Sequence, residues 1–513
     1  MRALLILCLA YILFIHGLGS TSLWDPDEPR QPIMAREMME RGDYVHPYLN
    51  GLPYLEKPPL HPWLITAAAR LTGKVDETAS RIPSAVAAAL LLLLTYFVGR
   101  RLDHEVSGFL SALILATNYQ FLGNARESVM DMTFAMFIGA SIILGYLCIE
   151  KGRKWLLPLA LLPCAAAILT KGPAGLVLPL AVLLLYSLAT RRLRSMFLPI
   201  AAGGLLSLAL AAIWFLAAGR AYAEEFILHQ NIARYTTGFD HLEPFWYYFH
   251  KLFVNFLPWS LLLPFAAFFA FKRKLWLPLI WLVFTFAFFD ISRSKRAIYL
   301  LSCYPACALL VGIYLKERWY ALAEKGWTRL LLSIFGVVLA VAPLLLFPAL
   351  RRVPVLQQMF AGRTVLLSAL VALLFACGVF FTLSVLARAP GKNFLVLFTY
   401  LVVLGFVYHA LCMPALDRSS KSVRLIADQV GKVAKDTAIY TYGFNSPALI
   451  FYMGRPIRAI SGPDDILLKK DDIIVIAEDK YGSAEALKPL FPLSKKARYE
   501  RDEYLILMRE DGK

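Results

Sequence analysis

The chain has 513 residues, 59% of them hydrophobic and 17% charged, with a formal net charge of +17. Soluble domains carry roughly 25% charged residues, so this composition excludes an ordinary soluble protein and indicates an integral membrane protein. The positive charge does not indicate nucleic-acid binding: Lys and Arg stand in short clusters between apolar runs, as they do when basic loops fix membrane orientation.

An apolar segment, Leu4 to Leu18, opens the chain. No small-residue cleavage site clearly follows it, so it reads as a retained first span rather than a signal peptide. Next comes Trp24-Asp25-Pro26-Asp27-Glu28-Pro29-Arg30, three carboxylates and an Arg within seven residues. Ionisable groups beside or within a bilayer usually face a cavity and mark a functional site. One of the three is expected to cap a helix N-terminus. The others are suited to general-base work or to binding Mg, Ca or Mn.

From Pro29 or Pro32 to Gly42, apolar and charged residues alternate with helical spacing, which predicts a short amphipathic helix on the membrane surface. A second helix is expected from Pro58-Pro59 through Trp63 and Ile65 to Leu71. Between them lies Glu56-Lys57, which spacing alone does not separate from an ordinary surface pair.

A span needs roughly 20 apolar residues, which gives about thirteen candidates. They fall near 3–19, 82–99, 106–123, 129–149, 155–169, 174–189, 196–218, 252–271, 275–291, 297–315, 330–350, 364–387 and 393–413. The connectors carrying Arg100-Arg101, Lys151/Arg153/Lys154, Arg191/Arg192/Arg194, Lys272/Arg273/Lys274, Lys316/Arg318 and Arg388/Lys392 then share one side, the cytoplasm. The 20–81 loop, the 219–251 loop and the C-terminal tail share the other.

Asp131 heads the span near 129, and Lys171 stands between two spans; both would snorkel to the interface if they had no other use. The 219–251 loop holds Glu224, Glu225, His229, Asn231, Arg234, Asp240 and His241. His241 is either a polar interface residue or a metal ligand. Arg293, Lys295 and Arg296 fall on the wrong side for topogenic charges. They read as an anion site for phosphate, with a miscounted span as the alternative. The seven cysteines lie in or beside apolar segments, without the spacing of a zinc knuckle or a disulfide framework. Beyond the membrane unit, 1–413, the composition changes. Strands at 438–442, 472–476 and 504–508 and a helix at 423–433 predict an α/β domain over 414–513.

Taken together, Leu23 to Arg30, Ala35-Arg36-Glu37-Met38, Leu49-Asn50-Gly51, Tyr54-Leu55-Glu56-Lys57-Pro58-Pro59, Arg81-Ile82-Pro83-Ser84, Leu169 to Pro173 and His241 with Pro244 to Tyr248 form a familiar pattern. It resembles the bacterial aminoarabinose transferases acting on lipid A, within the protein mannosyltransferase-like superfamily of GT-C glycosyltransferases. The resemblance is dense over roughly the first 300 residues. It implies a polytopic α-helical fold and a polyprenyl-phosphate-linked sugar donor. It also implies a lipid acceptor and inverting transfer on the periplasmic face of the inner membrane. Asp27 falls on the principal catalytic position, with Glu28 beside it and Asp131 as a second functional carboxylate. Lys57 falls on a donor-phosphate contact, and Arg30, Lys171, Arg293, Lys295 and Tyr299 complete the expected donor-binding set. Glu56 and His241 fall on positions able to hold a divalent metal, Zn, Mg or Mn.

In such a reaction Lys57 and the Arg293/Lys295 cluster would stabilise the leaving lipid phosphate. Asp27 would stabilise an oxocarbenium-like sugar, and would also take a proton if the acceptor is a hydroxyl. A phosphate acceptor needs no base, and the residues leave both open. Two rivals share many features: a GT-C enzyme acting on protein or polysaccharide, and a transporter of a lipid-linked precursor. A transporter places its charges near the bilayer midplane and is built from repeats; neither is evident in the sequence.

Overall fold

A computed structural model describes residues 1–345 apart from 239, residue 348 and residues 364–419. In the C-terminal segment it describes 423, 424, 427, 428, 430, 439–442, 445–460, 473–477, 493–499 and 502–508. In lipid a backbone finds no outside hydrogen-bond partner, so the long apolar runs fold as helices. Among the described residues, seven helices are long and apolar enough to cross a membrane. An eighth crossing forms if Tyr247–Asn255 and Trp259–Lys272, bent by 114°, act as one span. The other expected spans fall on shorter apolar helices, Arg2–Ile15, Glu105–Ala116, Ala174–Ala189, Trp276–Ile291 and Thr328–Leu344, so the expected thirteen includes five that are individually short. The end of the 330–350 span lies outside the described residues.

Burial sorts these helices. Ala297–Trp319 is 83% buried and runs through the bundle, whereas Leu193–Ala218 is only 33% buried at a mean hydropathy of 2.2. An apolar helix with its outer face bare is a lipid-facing helix. Glu77–Leu102 starts at Asp76, whose side chain accepts the Ala79 N–H. It meets Glu105–Ala116 at Gly99 and Gly108, so closely that a Cβ on Gly99 would lie 2.7 Å from the Gly108 Cα. Small residues let membrane helices approach in this way.

The ends of the bundle separate by charge. Arg2–Glu105 (3.0 Å), Arg192–Glu150 (2.7 Å), Arg273–Glu317 (2.6 Å) and Lys316–Asp103 (3.6 Å) tie the basic connectors together. The helix ends carrying Asp131, Lys171 and Arg296 lie at the opposite end.

The first loop forms the two expected helices, Arg30–Arg41 and Leu60–Thr72, closed by Gly42 (φ 68°) and Gly73 (φ 93°). Between them β1 (Tyr48–Leu49) and β2 (Leu52–Pro53) pair across Asn50 and Gly51, both with positive φ. Asn-Gly is the sequence such tight turns select. The helix Arg30–Arg41 differs from the surface helix expected. Ile33 packs with Leu23, Ala448, Leu449, Ile450 and Phe451, so protein rather than lipid covers part of its apolar face.

The C-terminal segment contributes β3 (Ile439–Tyr442), β4 (Arg458–Ile460), β5 (Ile473–Ala477), β6 (Leu493–Tyr499) and β7 (Asp502–Met508) to one sheet of order β4-β3-β5-β7-β6. β3 is parallel to β4 and β5, while β7 is antiparallel to β5 and β6. Three strands fall where the sequence predicts them; β4 and β6 were not foreseen. Much of the expected helix at 423–433 lies outside the described residues.

One buried ion pair fastens the acidic motif to this frame. Arg81 of Glu77–Leu102 and Glu28 are 4% and 5% exposed and meet through two bonds of 2.9 Å. Glu28 also accepts the Trp24 N–H (2.9 Å) and the Ser128 N–H (2.8 Å). Arg81 donates further to the carbonyls of Leu18, Thr21 and Ser22. Removing one member of such a pair leaves a buried charge uncompensated, at a cost of about 3–5 kcal/mol. Glu28→Ala should therefore lower the thermal midpoint of the detergent-purified protein sharply. A midpoint equal to the parent's would show that the pair does not anchor the motif.

Candidate active site

A cavity of about 370 Å³ opens where the first loop, the 219–251 loop and the 292–302 segment meet the bundle. Its walls are mostly apolar, with Phe134, Pro173, Val177, Phe288, Phe289 and Leu301 among them. Among the described residues, the charged side chains lining it are Lys57, Lys171, Arg234 and Asp131.

Each is placed by a different local device. Asp131 stands in the first turn of Met130–Glu150, and Lys171 in the last turn of the helix Pro163–Lys171. They form an ion pair, with the Lys171 ammonium 4.4 Å from the centre of the Tyr299 ring. Arg234 follows the wide-turned helix Glu224–Ala233 and pairs with Asp240 (Nε to Oδ1 3.0 Å). Asp240 is held in turn by the Ser294 hydroxyl (3.1 Å). Lys57 sits just before the helix Leu60–Thr72 and makes no hydrogen bond or salt bridge with the described residues. Burial, followed by the repulsion of Arg234 and Lys171, pushes its pKa down to about 8.

Asp27 stands outside the cavity wall, with its side chain 40% exposed. Its Oδ2 accepts a 2.5 Å bond from Arg296, and its Oδ1 is 3.8 Å from Arg30. Burial raises its pKa, but Arg296, Arg30 and His241 outweigh burial and hold it below the ordinary 3.8. Arg296 links the two places, because it also feels Asp131 and Tyr299.

The remaining expected residues have other surroundings. Glu28, expected beside the chemistry, is spent on Arg81 and two backbone N–H groups and does not line this cavity. Lys295 is 4% exposed, and its ammonium donates to the Asp290 and Ser292 carbonyls (2.5 Å each) at the end of Trp276–Ile291. Arg293 is exposed and does not line the cavity. The cations that line the cavity are therefore Lys57, Lys171 and Arg234, and neither Arg293 nor Lys295 is among its lining residues. Arg234 was named in the sequence without being assigned to the site, and Arg296 was read only as one of three cations of a phosphate site. Arg234 stood among other polar loop residues, and Arg296 beside two cations with different fates.

Glu56 is exposed and accepts a bond from the Tyr54 hydroxyl (3.1 Å). His241 is exposed, with φ 47°. Among the described residues, no group of three or more His, Cys, Asp or Glu side chains is placed to hold a metal ion. Among the described residues, two exposed side chains without a third ligand do not fit a bound divalent cation. A second cavity of about 320 Å³ lies against Glu28 and Arg81, between Trp24, Arg126, Glu127 and His409.

Residues 56–215 match the family model for dolichyl-phosphate-mannose-protein mannosyltransferases. An uncharacterised protein of Aquifex aeolicus is 33% identical over 353 residues, 67% of this chain and 69% of its own length. An undecaprenyl phosphate-alpha-4-amino-4-deoxy-L-arabinose arabinosyl transferase of Pseudomonas aeruginosa (strain UCBPP-PA14) is 32% identical over 330 residues, 61% of this chain. The match spans 59% of that relative's own length. The crystal structure of ArnT from Cupriavidus metallidurans bound to undecaprenyl phosphate superposes with a TM-score of 0.77 at 22% identity, covering 98% of this chain and 97% of that one. By sequence the chain belongs to one family with the Aquifex aeolicus protein; it is similar to the arabinosyl transferases over part of their length, and its fold is that of ArnT.

Proposed function

We propose that the chain is a glycosyltransferase that moves a sugar from a polyprenyl-phosphate donor to a lipid A-like acceptor, with inversion, at the periplasmic face of a bacterial inner membrane. The observation that carries this reading is the apolar cavity with three cations and one carboxylate in its wall. Its apolar sides suit a polyprenyl chain, and its cations suit a phosphate. The names of the arabinosyl transferase relatives support the same donor class. We read the chain as a catalytic membrane unit, 1–413, followed by a periplasmic unit, 414–513.

In this reading Lys57 and Arg234 stabilise the phosphate as the glycosidic bond breaks. Asp131 keeps the Lys171 ammonium pointed into the cavity, against Tyr299. Asp27 faces the positive charge that develops on the sugar. A carboxylate held below its ordinary pKa is a poor proton acceptor. Asp27 therefore acts by charge and orientation, which suits an acceptor that is already an ionised phosphate. The transporter reading is disfavoured because the cavity cations and Asp27 gather at one end of the bundle rather than at its middle. Mass spectrometry of lipid A, glycans and surface proteins from cells with and without the protein tests the acceptor. A new sugar on protein or polysaccharide alone would overturn the lipid acceptor.

Asp27→Asn should lose roughly 10²–10³ in kcat while the melting midpoint stays at the parent value. Parental turnover in a folded variant would remove Asp27 from the reaction. For Lys57, a charged hydrogen bond to phosphate is worth roughly 1.5–3 kcal/mol, so Lys57→Gln should bind undecaprenyl phosphate about tenfold to a hundredfold more weakly. The ammonium is present below its pKa and lost above it. Parent affinity should therefore fall as pH rises through 8, whereas Lys57→Arg should show no such step. A flat profile in the parent would exclude the ammonium as a contact. For orientation, a cysteine at Leu52 should react with an impermeant thiol reagent in spheroplasts, and one at Arg192 should not. Reversal of the two would invert the topology.

A further inference from the structure

The acidic motif is gripped from the C-terminal segment as firmly as from the bundle. The Asp25 carboxylate accepts the Ser446 hydroxyl and the Ala448 N–H (2.7 Å), both at the start of the helix Pro447–Met453. The same Ser446 oxygen accepts the Leu449 N–H (3.1 Å). The Tyr452 hydroxyl, at the other end of that helix, accepts the Leu23 N–H (2.7 Å) and donates to Glu77 (3.1 Å). The Ser22 N–H and hydroxyl both go to Asp417, the former at 3.0 Å. Arg36, just beyond the motif, donates to the Phe451 carbonyl (2.7 Å) and lies 4.4 Å from the centre of that ring.

Residues 22, 23 and 25 are thus each bonded to partners about 400 positions away in the chain. On the other flank Glu28 is fixed by Arg81 and Ser128. Asp27 lies between these two anchors, with its carboxylate directed at Arg296. Two residues of chain span at most about 7 Å, so displacing Asp25 displaces Asp27.

We propose that the C-terminal segment is a working part of the active site, and that Asp25, clamped by Ser446 and Ala448, is a positioning residue that holds Asp27 against Arg296. The proposal rests on the role given to Asp27 above. A docking contact made only for stability would look different. Asn50 shows what one looks like, with two bonds to Ile457 (2.7 and 2.8 Å) from the tip of the hairpin, far along the chain from Asp27.

The test compares Asp25→Ala, Asp25→Asn, Ser446→Ala and Asn50→Ala in the full-length reconstituted enzyme, with Asp27→Asn alongside. A misplacement near 1 Å costs on the order of a hundredfold in rate. Asp25→Ala and Ser446→Ala should therefore lose roughly tenfold to a hundredfold in kcat, with the donor KM within about twofold of the parent. Asp25→Asn, which keeps one acceptor oxygen, should recover part of the loss. Asn50→Ala should keep the parent kcat even if its melting midpoint falls. If Asp27→Asn is inactive while Asp25→Ala and Ser446→Ala turn over like the parent, the positioning role is overturned and the role of Asp27 stands. If Asn50→Ala loses as much kcat as Ser446→Ala, the contacts only dock the segment and the proposal fails. If Asp27→Asn is fully active, the failure lies in the reading of Asp27. Should Asp25→Ala not fold, Ser446→Ala carries the comparison, since it removes one hydroxyl and leaves the Ala448 bond.

Discussion

The Glu28–Arg81 pair is the constraint on which the rest of this site depends. A guanidinium and a carboxylate taken out of water are tolerated only when their remaining hydrogen-bonding positions are also filled. Here they are filled almost entirely by backbone: the Leu18, Thr21 and Ser22 carbonyls on one side, and the Trp24 and Ser128 N–H groups on the other. That requirement brings together the end of the first helix, the acidic motif, the start of Glu77–Leu102 and the segment before Asp131. The pair adds little net stability over an apolar substitute, but it admits one arrangement of four chain segments. In some proteins a buried polar group fixes register in this way.

Three carboxylates within four residues then take three different fates. Asp25 turns to the C-terminal segment, Glu28 to the bundle, and Asp27 to Arg296 at the surface of the site. The first two have their lone pairs filled by donors that hold structure. Asp27 is the one whose partner, Arg296, also feels the cavity groups Asp131 and Tyr299. The clustering of acid that marks the motif in sequence thus has a structural origin for two of its members.

How much of this was legible in the sequence follows from the range of each interaction. The helices Arg30–Arg41 and Leu60–Thr72 were readable because their signals are local, prolines at the start and Gly42 or Gly73 at the end. The helix-end charges Asp131 and Lys171 could be singled out because a charge there needs a reason, but spacing did not show that the two pair with each other across 40 positions. Glu28 and Asp27 were not separable, because what distinguishes them is Arg81, 53 residues away, and Arg296, 269 residues away. Lys295 misled for the opposite reason. Its ammonium is consumed by carbonyls three and five residues back at a helix end. Basic side chains commonly satisfy such carbonyls, and a count of charges does not reveal it. The strands β4 and β6 escaped because β4 is three residues long and β6, with Lys495, Lys496 and Arg498, lacks the apolar run that marks a buried strand.

The cavity extends the same reasoning from structure to ligand. Arg234 is neutralised by Asp240 and Lys171 by Asp131, which leaves Lys57 without a bonded counter-ion among the described residues. Two further cations lie near enough to depress its pKa. A fold that needed only stability would avoid holding an ammonium in an apolar wall beside two like charges, since both burial and repulsion oppose it. Each opposing effect is relieved when an anion enters, because one phosphate attracts all three cations at once and replaces the water that Lys57 has lost. In the function proposed above, the depressed pKa of Lys57 and the affinity for a lipid phosphate are two expressions of one arrangement. The apolar walls strengthen it by lowering the local dielectric in which the charges meet.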